Sequence, residues 1–180
     1  MDFDNTILKL DIDWLDYINK IRNVLPIVNE QFFKKALKEK TSPVNYLQNL
    51  YIKAYGDEIL SFFINFSSEF ESKNIKNFVP NNNLISFIKK HPEYVFYIWS
   101  ANTLKTIKKY LRKVSILDKF AKIACRDNLK FVKPDPEGFL FLYNPNQHKK
   151  DYLFIGDSDS DKKAARKAGI DFFLIDYFAK

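Results

Sequence analysis

The sequence predicts an α/β fold in which a parallel sheet is sandwiched between helices and a small all-helical cap is inserted after the first chemical motif. After residue 80, short apolar runs alternate with helical patterns, and each run is apolar on both faces. Strands of that kind belong to parallel sheets covered on both sides. Residues 12–75 contain helical patterns only. With 180 residues and 46% apolar content, the chain can form one core and a small insert.

The insert is predicted to be entirely helical. In residues 12–25 apolar side chains recur every three or four positions, and Pro26 ends the pattern. Ser42 and Pro43 are typical of a helix start, because serine caps free N–H groups and proline fits the first helical position. The predicted helices span residues 12–25, 28–39, 43–55 and 56–71. We therefore predict a core of residues 1–11 and 76–180 and a helical cap of residues 12–75.

The rest of the chain alternates helices and strands. The runs VFYIW and DYLFI are continuous, apolar and rich in residues that favour strands. Gly169 closes a helix, because glycine readily adopts the left-handed conformation. The predicted strands span residues 95–99, 121–126, 151–155 and 171–176, and the predicted helices span residues 82–91, 102–113, 137–144 and 160–169.

Polar residues follow the predicted strands at their carboxyl ends, where parallel α/β sheets bind ligands. Ser100 and Asn102 follow the first of these strands, Lys133 lies in the loop after the second, and Asp157 and Asp161 follow the third. If the carboxylates at positions 2 and 4 share this edge, three or more carboxylates meet one lysine and one hydroxyl. Such a cluster repels itself without a cation, and its hard oxygen ligands favour Mg²⁺.

This ligand set also suggests phosphoryl chemistry. The lysine and the hydroxyl would hold the oxygens of a phosphate group. Asp2 could attack a phosphoryl group as a nucleophile and form an aspartyl-phosphate. Asp4, two residues further on, could protonate the leaving oxygen and then activate water.

The motifs, in this order, resemble those of the haloacid dehalogenase superfamily over essentially the whole chain. DFDNTI resembles the first motif, Ser100 the second, Lys133 in VKPDPEGF the third and GDSDSDKKAARKAG the fourth. The resemblance implies a Rossmann-like core. The helical insert resembles the small cap of phosphoglycolate phosphatase and β-phosphoglucomutase-like members.

The resemblance implies a role for each matched residue. Asp2 matches the nucleophile and a Mg²⁺ ligand, while Asp4 matches the general acid/base, whose backbone carbonyl also binds the metal. The remaining matches are the metal-site carboxylates Asp157 and Asp161, the second of them supporting, and the phosphate-binding residues Ser100, Asn102 and Lys133.

The implied activity is Mg²⁺-dependent hydrolysis of a small soluble phosphate ester. The aspartate at position 4 favours a phosphatase or a phosphomutase over ATP-driven pumps and phosphonate hydrolases. A phosphomutase acting on a sugar phosphate remains open, as does a truncated domain with impaired catalysis.

The composition of the chain limits which kinds of binding partner are expected. The net charge of +7 comes almost entirely from lysine, which is typical of an AT-rich genome. We therefore expect no nucleic-acid partner, although a nucleic-acid end is an alternative substrate. No apolar run approaches the roughly 18 residues of a membrane span, and Cys125 is the single cysteine. We expect a cytoplasmic protein, either a monomer or a weak homodimer, without a membrane partner.

Only Met1 precedes Asp2 in the sequence. In the superfamily that the chain resembles, the nucleophile follows a strand in the middle of the sheet. The first central strand is therefore expected to be missing or truncated, with Asp2 on a frayed terminus. We expect the natural product to begin upstream with several apolar residues, and the present chain to be less stable and poorly active by comparison.

Overall fold

The structure is a computed structural model that describes residues 1–25 and 43–178. Strands and helices alternate in its second half as the sequence predicts. The strands are β1 (Leu8–Asp11), β2 (Asn77–Pro80), β3 (Phe96–Trp99), β4 (Phe120–Ala124), β5 (Leu153–Gly156) and β6 (Asp171–Leu174). The helices are α1 (Trp14–Val24), α2 (Pro43–Tyr55), α3 (Glu58–Asn74), α4 (Asn82–Lys90), α5 (Leu104–Lys113), α6 (Glu137–Leu142) and α7 (Asp159–Ala168). The helix predicted over residues 28–39 lies outside the described residues.

Two parallel strand pairs form the sheet of the core, β3 with β4 and β5 with β6. The first two residues of the chain lie between these pairs. Met1 N donates to Tyr97 O at 2.8 Å, and Trp99 N donates to Met1 O at 3.0 Å. On the other side, Asp2 N donates to Ile155 O at 2.8 Å. The order across the core is therefore β4, β3, the Met1–Asp2 segment, β5 and β6.

The expectation of a frayed terminus was wrong, because Asp2 is 8% exposed and its backbone is tied to β5. The expected shortness of the central strand is observed. Among the described residues no assigned strand lies between β3 and β5. A groove of about 490 Å³ opens beside Met1 instead, and its lining includes Val95, Tyr97 and Leu153.

An antiparallel ribbon that the sequence analysis did not anticipate connects the core to the inserted helices. β1 pairs with β2 in a register that runs from Leu8 opposite Pro80 to Asp11 opposite Asn77. The chain therefore leaves the core and returns to it at adjacent positions. The predicted domain boundaries fall at the end of this ribbon, and the division itself stays a prediction.

Apolar side chains form three clusters, one among the inserted helices and one on each face of the sheet. Aromatic side chains dominate the cluster among the inserted helices, which includes Tyr17, Tyr51, Phe63 and Phe70. The clusters on the two sheet faces include Phe3, Ile7, Ile98 and Ile107 on one face, and Trp99, Phe139, Phe154 and Ala164 on the other. Buried faces on both sides agree with the predicted layers of helix, sheet and helix.

A segment that fills the groove between β3 and β5 should stabilise the fold. We expect a Val/Ile-rich segment of about five residues, joined ahead of Met1, to raise the melting temperature by roughly 5–10 °C, because it buries apolar side chains and pairs the inner strand edges. Differential scanning calorimetry measures the change. A Gly/Ser-rich segment of the same length is the control, and an equal melting temperature for both extensions contradicts the prediction.

Candidate active site

Three carboxylates meet at the carboxyl edge of the sheet. Asp2 follows Met1 between the strand pairs, Asp157 follows β5, and Asp161 lies in the first turn of α7. Each offers an oxygen within 4.8 Å of the other two. The structure therefore brings together three of the four carboxylates that the sequence analysis selected.

Lys133 lies inside this acidic cluster and is 3% exposed. Its Nζ is 2.7 Å from Asp2 Oδ1 and 2.5 Å from Asp161 Oδ1. Burial alone would lower the pKa of this lysine, but the carboxylates of Asp161 and Asp2 raise the pKa to about 12. The ammonium group therefore stays charged and bridges two of the three carboxylates.

One lysine does not neutralise three carboxylates. Burial raises the pKa of Asp2 to about 6, against the opposing effect of Lys133. Burial and the nearby Asp2 raise the pKa of Asp157 to about 7. Thr6 Oγ1 holds the Asp157 carboxylate at 3.2 Å. Uncompensated negative charge on buried oxygen ligands suits a hard divalent cation.

Asp161 is fully buried and is held from two sides. Ser158 donates to Asp161 Oδ2 through its backbone N at 3.0 Å and through Oγ at 2.6 Å, while Lys133 contacts the other oxygen. A Cβ atom at Gly156 would come within 2.7 Å of this carboxyl group, so β5 can end beside Asp161 only with glycine there. Because its oxygens already accept these bonds, Asp161 fits the role of a carboxylate that supports the metal site without being its main ligand.

The Asp4 carboxylate points away from the cluster. Leu10 N donates to its Oδ1 at 2.8 Å, and the indole Nε1 of Trp14 donates to its Oδ2 at 3.2 Å. Burial raises the pKa of Asp4 to about 7, although these two hydrogen bonds oppose the shift. A carboxyl group with that pKa can both give and take a proton near neutral pH.

Ser100 and Asn102 follow β3, the strand that pairs with Met1. Ser100 Oγ donates to Asn102 Oδ1 at 3.0 Å, and Asn102 N donates to Ser100 Oγ at 3.3 Å. Asn102 Nδ2 is buried and has no hydrogen-bond partner among the described residues. A buried donor of this kind calls for an acceptor, and a phosphate oxygen supplies one.

Sequence reasoning missed the residues through which the inserted helices reach the site. Trp14, at the start of α1, holds the Asp4 carboxylate. The buried Arg126 donates from Nε to Ala101 O at 2.8 Å and from Nη1 to Gln48 Oε1 of α2. No local pattern marks these residues, because their contacts depend on tertiary packing and join positions 10 to 78 apart in the sequence.

The fold and its acidic edge define a Rossmann-like α/β enzyme with a helical insertion. The sequence model described as haloacid dehalogenase-like hydrolase matches residues 1–175. The chain belongs to the haloacid dehalogenase-like hydrolase family, as the sequence motifs predicted.

Solved structures share the fold at low sequence identity. A predicted phosphoglycolate phosphatase from Haemophilus somnus has a TM-score of 0.64 and 21% identity, with 98% of this chain and 83% of that chain covered. A predicted haloacid dehalogenase-like hydrolase from Bacteroides fragilis has a TM-score of 0.62 and 22% identity, with coverage of 95% and 83%. YfnB from Bacillus subtilis, a predicted hydrolase of this type solved with magnesium bound, has a TM-score of 0.56 and 19% identity, with coverage of 99% and 88%.

Two further findings are negative, one on curated relatives and one on membrane-spanning helices. None of the curated proteins compared with the chain matches it significantly. Within residues 1–25 and 43–178, every helix is too short or too polar to cross a membrane.

Removing the lysine charge should destabilise the site in a pH-dependent way. We expect Lys133→Met to lower the free energy of unfolding by about 3–5 kcal/mol near neutral pH, because buried carboxylates lose their counter-charge. The deficit should shrink as pH falls through the raised pKa values of Asp2 and Asp157, since protonation removes the repulsion. Urea unfolding at several pH values measures both effects.

A surface lysine supplies the control. Lys163, whose Nζ is 3.8 Å from the exposed Asp159, should tolerate Lys163→Met within about 0.5 kcal/mol. Equal losses for the two variants, or a Lys133→Met deficit that is the same at every pH, would show that the Lys133 charge does not stabilise the cluster.

Proposed function

We propose that this protein is a Mg²⁺-dependent phosphatase that hydrolyses a small soluble phosphomonoester through an aspartyl-phosphate on Asp2. The observation that carries the proposal is that two aspartates of the first motif lie in different surroundings. Asp2 lies in the acidic cluster beside Lys133, whereas Asp4 is held outside it with a pKa near neutrality. A nucleophile and a separate acid/base are what a two-step phosphoryl transfer requires.

In the first step a carboxylate oxygen of Asp2 attacks phosphorus, and the bond from phosphorus to the ester oxygen breaks. Asp4 gives its proton to that leaving oxygen. In the second step Asp4 takes a proton from water, whose oxygen attacks the same phosphorus and breaks its bond to Asp2. Inorganic phosphate leaves, and both aspartates return to their starting states.

The phosphate oxygens need hydrogen-bond donors. We assign that role to the Lys133 ammonium, to the Ser100 hydroxyl and to Asn102, whose unpartnered side-chain nitrogen adds a donor at the end of β3. Lys133 reaches Asp2 directly, so one ammonium group can contact both the nucleophile and the transferred group.

The donor set fits Mg²⁺. Asp2, Asp157 and the backbone carbonyl of Asp4 would hold the ion, with Asp161 in support, and the bound ion would neutralise charge on the phosphate oxygens. The structurally similar YfnB was solved bound to magnesium, which supports magnesium as the ion.

The likeness to a predicted phosphoglycolate phosphatase supports a small phosphate ester as the substrate. The helices inserted after the first motif would cover the site and select the leaving group. Phosphoryl transfer between two positions of one sugar phosphate would instead indicate a mutase. We further propose a cytoplasmic protein that is a monomer or a weak homodimer.

Substitution of Asp2 and substitution of Asp4 should impair hydrolysis in different ways. With an aryl phosphate and Mg²⁺, we expect Asp2→Asn to abolish hydrolysis, because an amide cannot form the acyl phosphate. Asp4→Asn should lower kcat by about 10²–10⁴-fold, since protonation of the leaving group and activation of water are both lost. Intact-protein mass spectrometry should then find a phosphoryl group on Asp4→Asn and none on Asp2→Asn.

Asp118→Asn, a change to a surface carboxylate paired with Lys119, is the control and should keep wild-type turnover. Full activity in Asp2→Asn would refute the covalent mechanism.

Stabilisation by Mg²⁺ should increase with pH. Asp2 and Asp157 have raised pKa values in the folded protein, so the stability they contribute is present below their unfolded pKa and is lost as pH rises toward 6 and 7. Metal binding offsets that loss, and it requires ionised ligands. At one Mg²⁺ concentration, we expect the rise in melting temperature to be roughly 3–5 °C larger near pH 8 than near pH 5.5.

Two variants of the same segment test the assignment. Asp157→Asn should lose the Mg²⁺-dependent shift in melting temperature, and Asp159→Asn should keep it because Asp159 is exposed and outside the cluster. A shift that is equal at both pH values would contradict competition between protons and metal for these carboxylates.

A further inference from the structure

The inserted helices form hydrogen bonds with a short loop that ends at Lys133. We call residues 130–133 the lysine loop. Asn49 of α2 makes two hydrogen bonds to one residue of this loop: its Nδ2 donates to Val132 O at 2.7 Å, and Val132 N donates to its Oδ1 at 2.9 Å. The pair joins the helical insert to the residue immediately before the lysine of the candidate site.

The core holds the other end of the same loop. Lys130 N donates to Glu137 Oε1 at 2.8 Å, and Phe131 N donates to Glu137 Oε2 at 2.7 Å. Three successive backbone N–H groups are therefore fixed, two by a carboxylate of the core and the third by the Asn49 amide of the insert. The N–H group nearest to Lys133 therefore depends on the insert, whereas Val132 O also accepts from Asp135 N at 3.1 Å.

The placement of Lys133 leaves little tolerance. Its Nζ must lie 2.7 Å from Asp2 and 2.5 Å from Asp161 at the same time. A misplacement of about 1 Å in a functional group can cost about 100-fold in rate. A movement of the Val132 backbone would pass directly to the next residue and to its side chain.

We propose that Asn49 is a positioning residue for Lys133, so that docking of the inserted helices and placement of the phosphate-binding lysine are one coupled event. The proposal rests on the proposed function in so far as Lys133 binds phosphate. An undocked insert would leave Val132 N–H unpaired, while Val132 O would keep only the bond from Asp135 N at 3.1 Å. Phosphate affinity would then depend on a residue that does not itself touch the substrate.

The chemistry of the contact requires a primary amide, which Asn49 supplies. A backbone unit presents one donor and one acceptor, and a primary amide matches both. In Asn49→Asp, the carboxylate can still accept from Val132 N–H but would face Val132 O without a donor. In Asn49→Leu, the volume is retained while both hydrogen bonds are lost.

The first arm of the test measures phosphate binding. With Mg²⁺ present, we expect Asn49→Leu to weaken binding of inorganic phosphate about 10-fold or more, and Asn49→Asp to weaken it less. Isothermal titration calorimetry measures the affinity without turnover. The matched control is Asn74→Ala, because Asn74 also belongs to the insert and, within the described parts of the chain, its side chain donates to Phe70 O of its own helix. Its phosphate affinity should equal that of the wild type.

The second arm needs no activity or ligand. In Asn49→Leu, hydrogen exchange of the Val132 amide should accelerate about 10-fold or more, while the Lys130 and Phe131 amides stay protected by Glu137. This pattern separates a local release from general destabilisation, which would accelerate all three amides together. It also holds if the wild type hydrolyses no phosphate ester, in which case the proposed function fails and the positioning role survives on the affinity for phosphate.

Two results would overturn the proposal. One is wild-type protection of the Val132 amide in Asn49→Leu. The other is an unchanged phosphate affinity in a variant whose melting temperature has fallen, which would make Asn49 only a structural contact between insert and core.

Discussion

The backbone hydrogen bonds of Met1 and Asp2 are the constraint on which the rest of the structure depends. The two parallel strand pairs are bridged by these residues, which bond to Tyr97 and Trp99 on one side and to Ile155 on the other. The same bonds bury Asp2 and aim it at the edge where the other carboxylates meet. Placement of the candidate nucleophile and cohesion of the sheet are therefore one structural feature, held by very few residues.

The clustered charges at this edge of the sheet reduce the stability of the fold and are better explained by a functional site. Three carboxylates within 4.8 Å share one buried ammonium group, so the pKa values of Asp2 and Asp157 are raised. A protein selected only for stability would replace such a cluster with apolar residues. Retained charge with raised pKa values at the carboxyl edge of a sheet is instead typical of a functional site. Lys133 compensates these carboxylates, and we have proposed that it also binds the phosphate group.

The inserted helices contact the candidate site directly. Trp14 donates to the carboxylate of Asp4, and Asn49 holds the backbone next to Lys133. Arg126 adds a third connection, from the loop that contains Ala101 to α2. The proposed acid/base Asp4, the residue before the proposed phosphate-binding Lys133 and the loop after β3 are thus each contacted from the insert. These contacts link the packing of the insert to the arrangement of the groups at the candidate site.

The order of strands, helices and motif residues was readable from the sequence by itself, because hydrophobic periodicity, helix caps and strand-end polar residues are local properties. The same reasoning led to Asp2, Lys133, Asp157 and Asp161 and to the haloacid dehalogenase family. It did not find the β1–β2 ribbon, whose short strands leave a weak pattern.

Tertiary structure alone decided which groups touch. The Asn49 and Val132 contact joins positions 83 residues apart, and the bond from Thr6 to Asp157 joins positions 151 apart. Tertiary structure also decided that Asp2 is anchored, although the sequence suggested a frayed end. Contacts of this kind depend on how layers pack and on which backbone groups face each other, and no local pattern of residues contains that information.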